Sequence, residues 1–149
     1  MRARRGWRDE SGAELIEFAL VFPLMLLVML GIVDFGFLFQ RYEVLTNAAR
    51  EGARVSVLPG YADADVQTRV NQYLDAAGLT DVGRDTSVGA TVAVPVGGQC
   101  INMRPVTVTY PHGFSFVGGI ASYFGTDFSS TTLSSTASMR NEMPAAVCP

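Results

Sequence analysis

Apolar residues crowd the first third of the chain and give way to shorter, alternating patterns after it, and this change of texture predicts the elements. From Phe18 to Val33 no side chain is charged, and the apolar run resumes from Phe35 to Phe39 after a single Asp34. At ~1.5 Å per helical residue, the run supplies the ~20 residues needed to cross a ~30 Å hydrocarbon layer. It predicts a transmembrane helix over residues 13–40, with a bend expected at Pro23, whose ring removes one backbone donor. A cleaved secretory signal shares the basic start and the apolar core. The run, however, exceeds the usual signal core of ~7–15 residues, and no small-x-small cleavage site precedes Gln40 and Arg41, so a retained anchor is favoured.

The helical pattern continues past Phe39 through Tyr42, Leu45, Ala49 and Ala53, and Pro59-Gly60 is the first strong break. One helix from near Ser11 to near Leu58 would be on the order of 70 Å long, so its 41–58 portion extends beyond the membrane as a stalk or a packing spine. The small residues Ala49, Gly52 and Ala53 allow another element to lie close, and the chain's own sheet is the favoured partner over a neighbouring helix. Asp63 or Asp65 caps a second helix running to about Ala77, with Val66, Val70, Tyr73 and Leu74 on one face and Gly78 as its stop. Three strand-like stretches follow: Thr86 to Val96, ending on Pro95; Val106, Val108 and Tyr110 alternating with threonines; and Ser130 to Arg140. Long helix, short helix and a small antiparallel sheet make an α+β chain, with residues 59–149 as its outer domain. The uncharged aromatic stretch from Phe114 to Phe124 is expected to cover the open side of that sheet; a partner-docking or membrane-skimming loop is the sharper reading.

Charge adds an orientation. Arg2, Arg4, Arg5 and Arg8 precede the apolar run, and the acids Asp63, Asp65, Asp75, Asp81 and Asp85 follow it. By the positive-inside tendency residues 1–12 stay in the cytoplasm, the helix crosses the inner membrane in contact with lipid, and the remainder is periplasmic. A net charge of -3 and a charged fraction of 17% advertise no basic surface for nucleic acid. Three acids sit where a generic anchor has none. Glu14 belongs at headgroup level, Glu17 abuts the apolar run directly, and Asp34 lies deep in the far half. An ionised carboxylate in lipid costs several kcal/mol without a partner, which makes Glu17 a functional candidate. Asp34 has two milder options, reaching the far interface or pairing with Arg41 two turns on.

Taken together, these residues resemble a known group. Gly12-Ala13-Glu14-Leu15-Ile16-Glu17-Phe18, after arginines and before a long apolar helix, resembles the processing site of type IV pilin-like precursors. Its Glu-Phe pair is similar to that of the tight-adherence (Flp) branch. Asn47-Ala48-Ala49-Arg50-Glu51-Gly52-Ala53-Arg54 and Ala137-Ser138-Met139-Arg140-Asn141-Glu142 look like two further signatures of TadE-like minor pilins. The resemblance implies a pilin-like fold and cleavage after Gly12 by a prepilin peptidase, which frees an amino group on Ala13. It also implies partners among other major and minor pilins and the inner-membrane assembly platform, with a place at the initiation or tip of a type IVb pilus. In such assemblies the acid at the position of Glu17 pairs with the new amino group of a neighbouring subunit, removing two charges that are costly in lipid.

The only cysteines, Cys100 and Cys148, both fall on the oxidising side of the membrane by this orientation, and an even pair there suggests one disulfide, tying the C-terminal tail to the loop before Arg104. No metal or cofactor is expected: His112 is the sole histidine, flanked by Pro111 and Gly113 as in a solvent-facing turn. Gly97-Gly98 and Gly118-Gly119 lack the lysine and the strand-to-helix context of a phosphate loop, and no catalytic constellation emerges, so no enzyme activity is expected. Two other functions fit the same anchor: a membrane-tethered envelope binding module, or an uncleaved accessory subunit of the secretion platform.

Overall fold

The computed structural model describes residues 10–97, 99–123, 125 and 129–141. The arginine-rich leader, Glu142 and Cys148 lie outside them. Helix α1 runs without interruption from Glu10 to Ser56, through Pro23, and is long and apolar enough to cross a membrane. Helix α2 spans Asp63–Ala76, followed by strands β1 (Asp85–Val88), β2 (Val92–Val96) and β3 (Gln99–Gly113), the short helix α3 (Val117–Tyr123) and strand β4 (Ser130–Asn141). The layout is α+β, as the texture of the sequence predicts.

Local chemistry accounts for the element ends. The Asp65 carboxylate reaches back to accept the Ala62 N–H at 2.8 Å, which satisfies one orphan donor at the start of α2. At the other end Leu79 N–H bonds Leu74 O and Gly78 N–H bonds Asp75 O, with Gly78 at φ +77°. This is the left-handed glycine stop that Gly78 predicts. Val66, Val70 and Leu74 are buried, but Tyr73 stays 37% exposed and lies off the buried face.

The sheet is organised around β3. Strand β4 runs along one edge of β3 from Asn102↔Asn141 to Gly113↔Ser130, and β1 and β2 lie end to end along the other. The stretch expected as one strand from Thr86 to Val96 therefore breaks in two, and Pro105 supplies the reason. Gly89 N–H donates to Pro105 O at 2.8 Å, so the backbone of Pro105 faces this edge, where its missing N–H can return no bond. Three residues, Gly89 to Thr91, pass opposite two, Arg104 and Pro105, as in a bulge. Gly89 also lies against the proline ring: a Cβ there would come within 2.7 Å of Pro105 Cγ.

Alternation along β3 turns Val106, Val108, Tyr110, His112 and Phe114 toward the helices, all buried. Val106, Val108 and Tyr110 meet Leu45, Ala48, Ala49 and Ala53 of α1 and Val66, Val70 and Leu74 of α2 in one core. The upper part of α1 is thus a packing spine for the chain's own sheet. Gly52 is what permits the approach: a Cβ on it would stand 2.6 Å from Val70 Cγ2 and 3.1 Å from Val106 Cγ1. Arg104 fastens the corner, donating to Ser56 O at the end of α1 (3.0 Å) and pairing with Asp63 at the start of α2.

Candidate functional site

Two groups of polar residues on α1 stand out, one at each end of its apolar run. The lower group is bare. Gly12 is half-buried and Ala13, Glu14 and Glu17 are exposed. Phe18 is 60% exposed, its ring stacked on Phe22 at 5.2 Å. Glu14, Glu17, Phe18 and Val21 line a shallow open depression on the helix surface. Nothing else in the chain reaches this end of α1 among the described residues. Every residue from Ala13 to Met29 is exposed, apolar side chains included.

The upper group is enclosed. Asp34 is 2% exposed, and its carboxylate accepts the backbone N–H groups of Ser115 (3.2 Å), Phe116 (2.8 Å) and Val117 (2.7 Å). It thereby satisfies the orphan donors that open α3 from a position more than eighty residues away in sequence. The pair with Arg41 is not formed. Arg41 turns instead to His112, donating from Nη1 to Nδ1 at 3.0 Å, and its guanidinium sits 6.0 Å from the centre of the Tyr110 ring.

His112 corrects a second expectation, since it is a buried strand residue at 2% exposure and not a solvent-facing turn. Its flanking Pro111 misleads because, by the alternation that points Pro105 toward the β1 edge, Pro111 faces the same edge past the last β1 pair, Asp85↔Thr109, where no strand needs its N–H. Burial, followed by the charge of Arg41, holds the imidazole pKa below its usual value, with Asp34 opposing. Accepting from Arg41 through Nδ1 leaves the proton on Nε2, which has no hydrogen-bond partner among the described residues. The ring stands edge-on to Phe114 at 5.0 Å, and Phe114 in turn meets Phe35 at 6.0 Å. Tyr110 donates to Asp81 Oδ2, and burial together with that carboxylate raises the phenol pKa.

The aromatic stretch therefore does not cover the open face of the sheet. It folds back on α1, with Phe114 buried, Val117 resting against Gly31, and Phe116 left 41% exposed. Leu27, Val28, Gly31, Ile32, Phe35 and Val117 line an open apolar groove beside it.

The remaining sequence candidates lie elsewhere. In the motif from Asn47 to Arg54, Ala48, Ala49, Gly52 and Ala53 are core, while Glu51 joins Arg69 of α2 (2.8 Å) and Arg54 (3.3 Å). The Arg69 bond, despite partial burial, leads in holding the Glu51 pKa below its usual value. Ala137 to Asn141 of the later motif lie on β4, where Ala137 and Met139 pack against the core. Cys100 stands within β3 opposite Pro95, not in a loop, and none of the described cysteines is free. Its expected bond to Cys148 falls outside the described residues.

In comparisons with known proteins, the family model described as "TadE-like protein" matches residues 12–54, from the glycine of the lower group to the end of the small-residue spine. No curated protein and no solved structure shows significant similarity to the chain.

Proposed function

Starting from a chain that is TadE-like over residues 12–54 and so consistent with a protein of the tight-adherence system, we propose that it is a minor pilin that helps to assemble the pilus. In this reading a prepilin peptidase cuts between Gly12 and Ala13, and α1 then anchors the chain in the inner membrane with the α+β body on the periplasmic side. Other pilins and the assembly platform are its partners, and its place is at the initiation or tip of the filament. A disulfide between Cys100 and Cys148 ties the tail to the β2–β3 end of the sheet.

The observation that supports this most is the division of α1. Its upper part is covered by the chain's own sheet, while Ala13 to Met29 is wholly exposed and carries Glu17 against its apolar run. Such a half-helix needs an apolar solvent, first lipid and then the packed helices of neighbouring subunits. Glycine suits a cleavage point because it offers no side chain to a peptidase that must draw in an extended backbone. Cleavage there creates a positive amino group four residues before Glu17, and a neighbour in correct register can supply the opposite charge to each. The role is structural, not catalytic.

N-terminal sequencing of the mature protein tests the first step. The sequence is expected to begin at Ala13, and to begin at Met1 in cells lacking the peptidase; a mature product that retains residues 1–12 refutes the proposal. Glu17→Ala tests the second step: the subunit is expected to be cleaved and to stay in the membrane but to be lost from piliation. Unchanged co-assembly would remove the role given to Glu17.

A further inference from the structure

Depth along α1 places a limit on where the body can sit. From Ala13 to Val33 there are 21 residues, and at ~1.5 Å each they rise about 32 Å, one hydrocarbon thickness. The residue that follows is Asp34, and it is bonded to the first three N–H groups of the α3 turn. The start of α3 is thus held about one hydrocarbon thickness along the helix from Ala13, in the outer part of the 13–40 span.

The chemistry of this segment suits that level. Phe114 to Phe124 carries no charged residue. Phe116 is 41% exposed, and its neighbour Val117 lines one apolar groove with Leu27, Ile32, Phe35 (45%) and Phe39 (66%) of α1. Backbone N–H groups near hydrocarbon are costly unless bonded within the protein, and Asp34 bonds the three that open this turn. The cost of a carboxylate at that depth is offset by the same three bonds.

We propose that the α3 segment is a second membrane contact, lying in the outer headgroup layer of the bilayer that α1 crosses, so that the body is seated on the lipid surface instead of standing off on a stalk. This rests on the anchor reading given above. Its partner is lipid: Phe116 is exposed just before α3, the small Gly119 and Ser122 are exposed within it, and Val117 lines the same apolar groove as Leu27 and Phe35 of α1. Amphipathic interfacial segments bind in this way, through modest apolar area at the acyl boundary.

The test uses the full chain in phosphatidylethanolamine–phosphatidylglycerol vesicles, with brominated acyl chains as depth-dependent quenchers. The single native tryptophan is replaced (Trp7→Phe), and reporters are placed one at a time: Phe116→Trp, Val28→Trp in mid-helix, and Thr107→Trp on the open face of the sheet. The Phe116→Trp reporter is expected to lose most of its emission to bromines near the headgroups and little to bromines near the chain ends. The Val28→Trp reporter should show the reverse, and the Thr107→Trp reporter no loss. Quenching at position 28 without quenching at 116 overturns the inference and leaves the anchor standing; no quenching at either position removes the anchor and the inference together. Emission at 116 that is shielded from bromine only at high protein density assigns the surface to a neighbouring copy, and also overturns it. As a second measurement, Asp34→Ala in the Phe116→Trp background should weaken quenching at 116, while the same change in the Val28→Trp background leaves quenching at 28 intact.

Discussion

The lower and upper halves of α1 are both rich in apolar residues, yet they solve different problems. Between Ala13 and Val33 large side chains point in every direction and almost all are exposed: Leu20 at 76%, Leu24 at 65% and Met29 at 65%. Between Asp34 and Ser56 the buried stripe is narrow and built largely from alanine and glycine, so that α2 and β3 approach the helix axis closely. A helix that is apolar all round is made for an apolar solvent, and one with a narrow stripe of small residues is made for a particular neighbour. The apolar count of a segment says little about which of these it is. The size and angular spread of its side chains say more.

Several substitutions break or sharpen this contrast. Leu45→Ala, in the core of the upper half, should lower the stability of the body by about 2–5 kcal/mol. Leu24→Ala in the lower half removes the same atoms from an exposed position, and should leave the urea midpoint in detergent micelles unchanged. Gly52→Ala comes next, because the new methyl group meets the branched, immobile Val70 and not a flexible chain end. Overpacking of this kind costs about 1–3 kcal/mol, of which better helix propensity returns up to ~1. The same change at Gly36 meets no atom within 4 Å and should be neutral or slightly stabilising.

A smaller effect follows from His112. Its pKa is lowered in the folded state from the ordinary 6.5, so below that value the unfolded chain binds more protons than the folded one. Stability of the body is therefore full above pH 6.5 and declines as pH falls toward the folded pKa. Glu51 contributes its own decline only near and below its ordinary 4.5. His112→Gln should flatten the decline of stability that sets in below about pH 6.5, measured by urea unfolding at a series of pH values. The weakest effect belongs to Arg69→Ala, which removes a half-exposed ion pair to Glu51. It should cost ~0.2–1 kcal/mol and shrink further in high salt.

Local signals carried much of this fold. The apolar run of α1, the break near Pro59-Gly60, the Gly78 stop of α2 and the alternation at Val106, Val108 and Tyr110 are all written in neighbouring residues. What was hidden depends on pairing between distant segments. The split of the strand between Val88 and Val92 is caused by Pro105, on the strand it pairs with. His112 looked like a loop residue because Pro111 and Gly113 flank it; only the position of the β1 edge shows why a proline is tolerated there. Asp34 was noticed as an acid out of place, but its donors are three backbone N–H groups, which no residue type in Ser115-Phe116-Val117 announces. The lower group at Gly12, Ala13 and Glu17 was legible as a motif and is structurally plain: nothing else among the described residues packs on it.

The bond between Asp34 and the start of α3 also sets an order of events during biosynthesis. Residues 115–117 leave the ribosome about sixty residues after α1 is complete, a delay of ~3–12 s at ~5–20 residues per second. Throughout that interval the carboxylate at position 34 lacks the three N–H groups that later bond it. The staple between α1 and α3 therefore closes late, long after the helix that carries its carboxylate is complete.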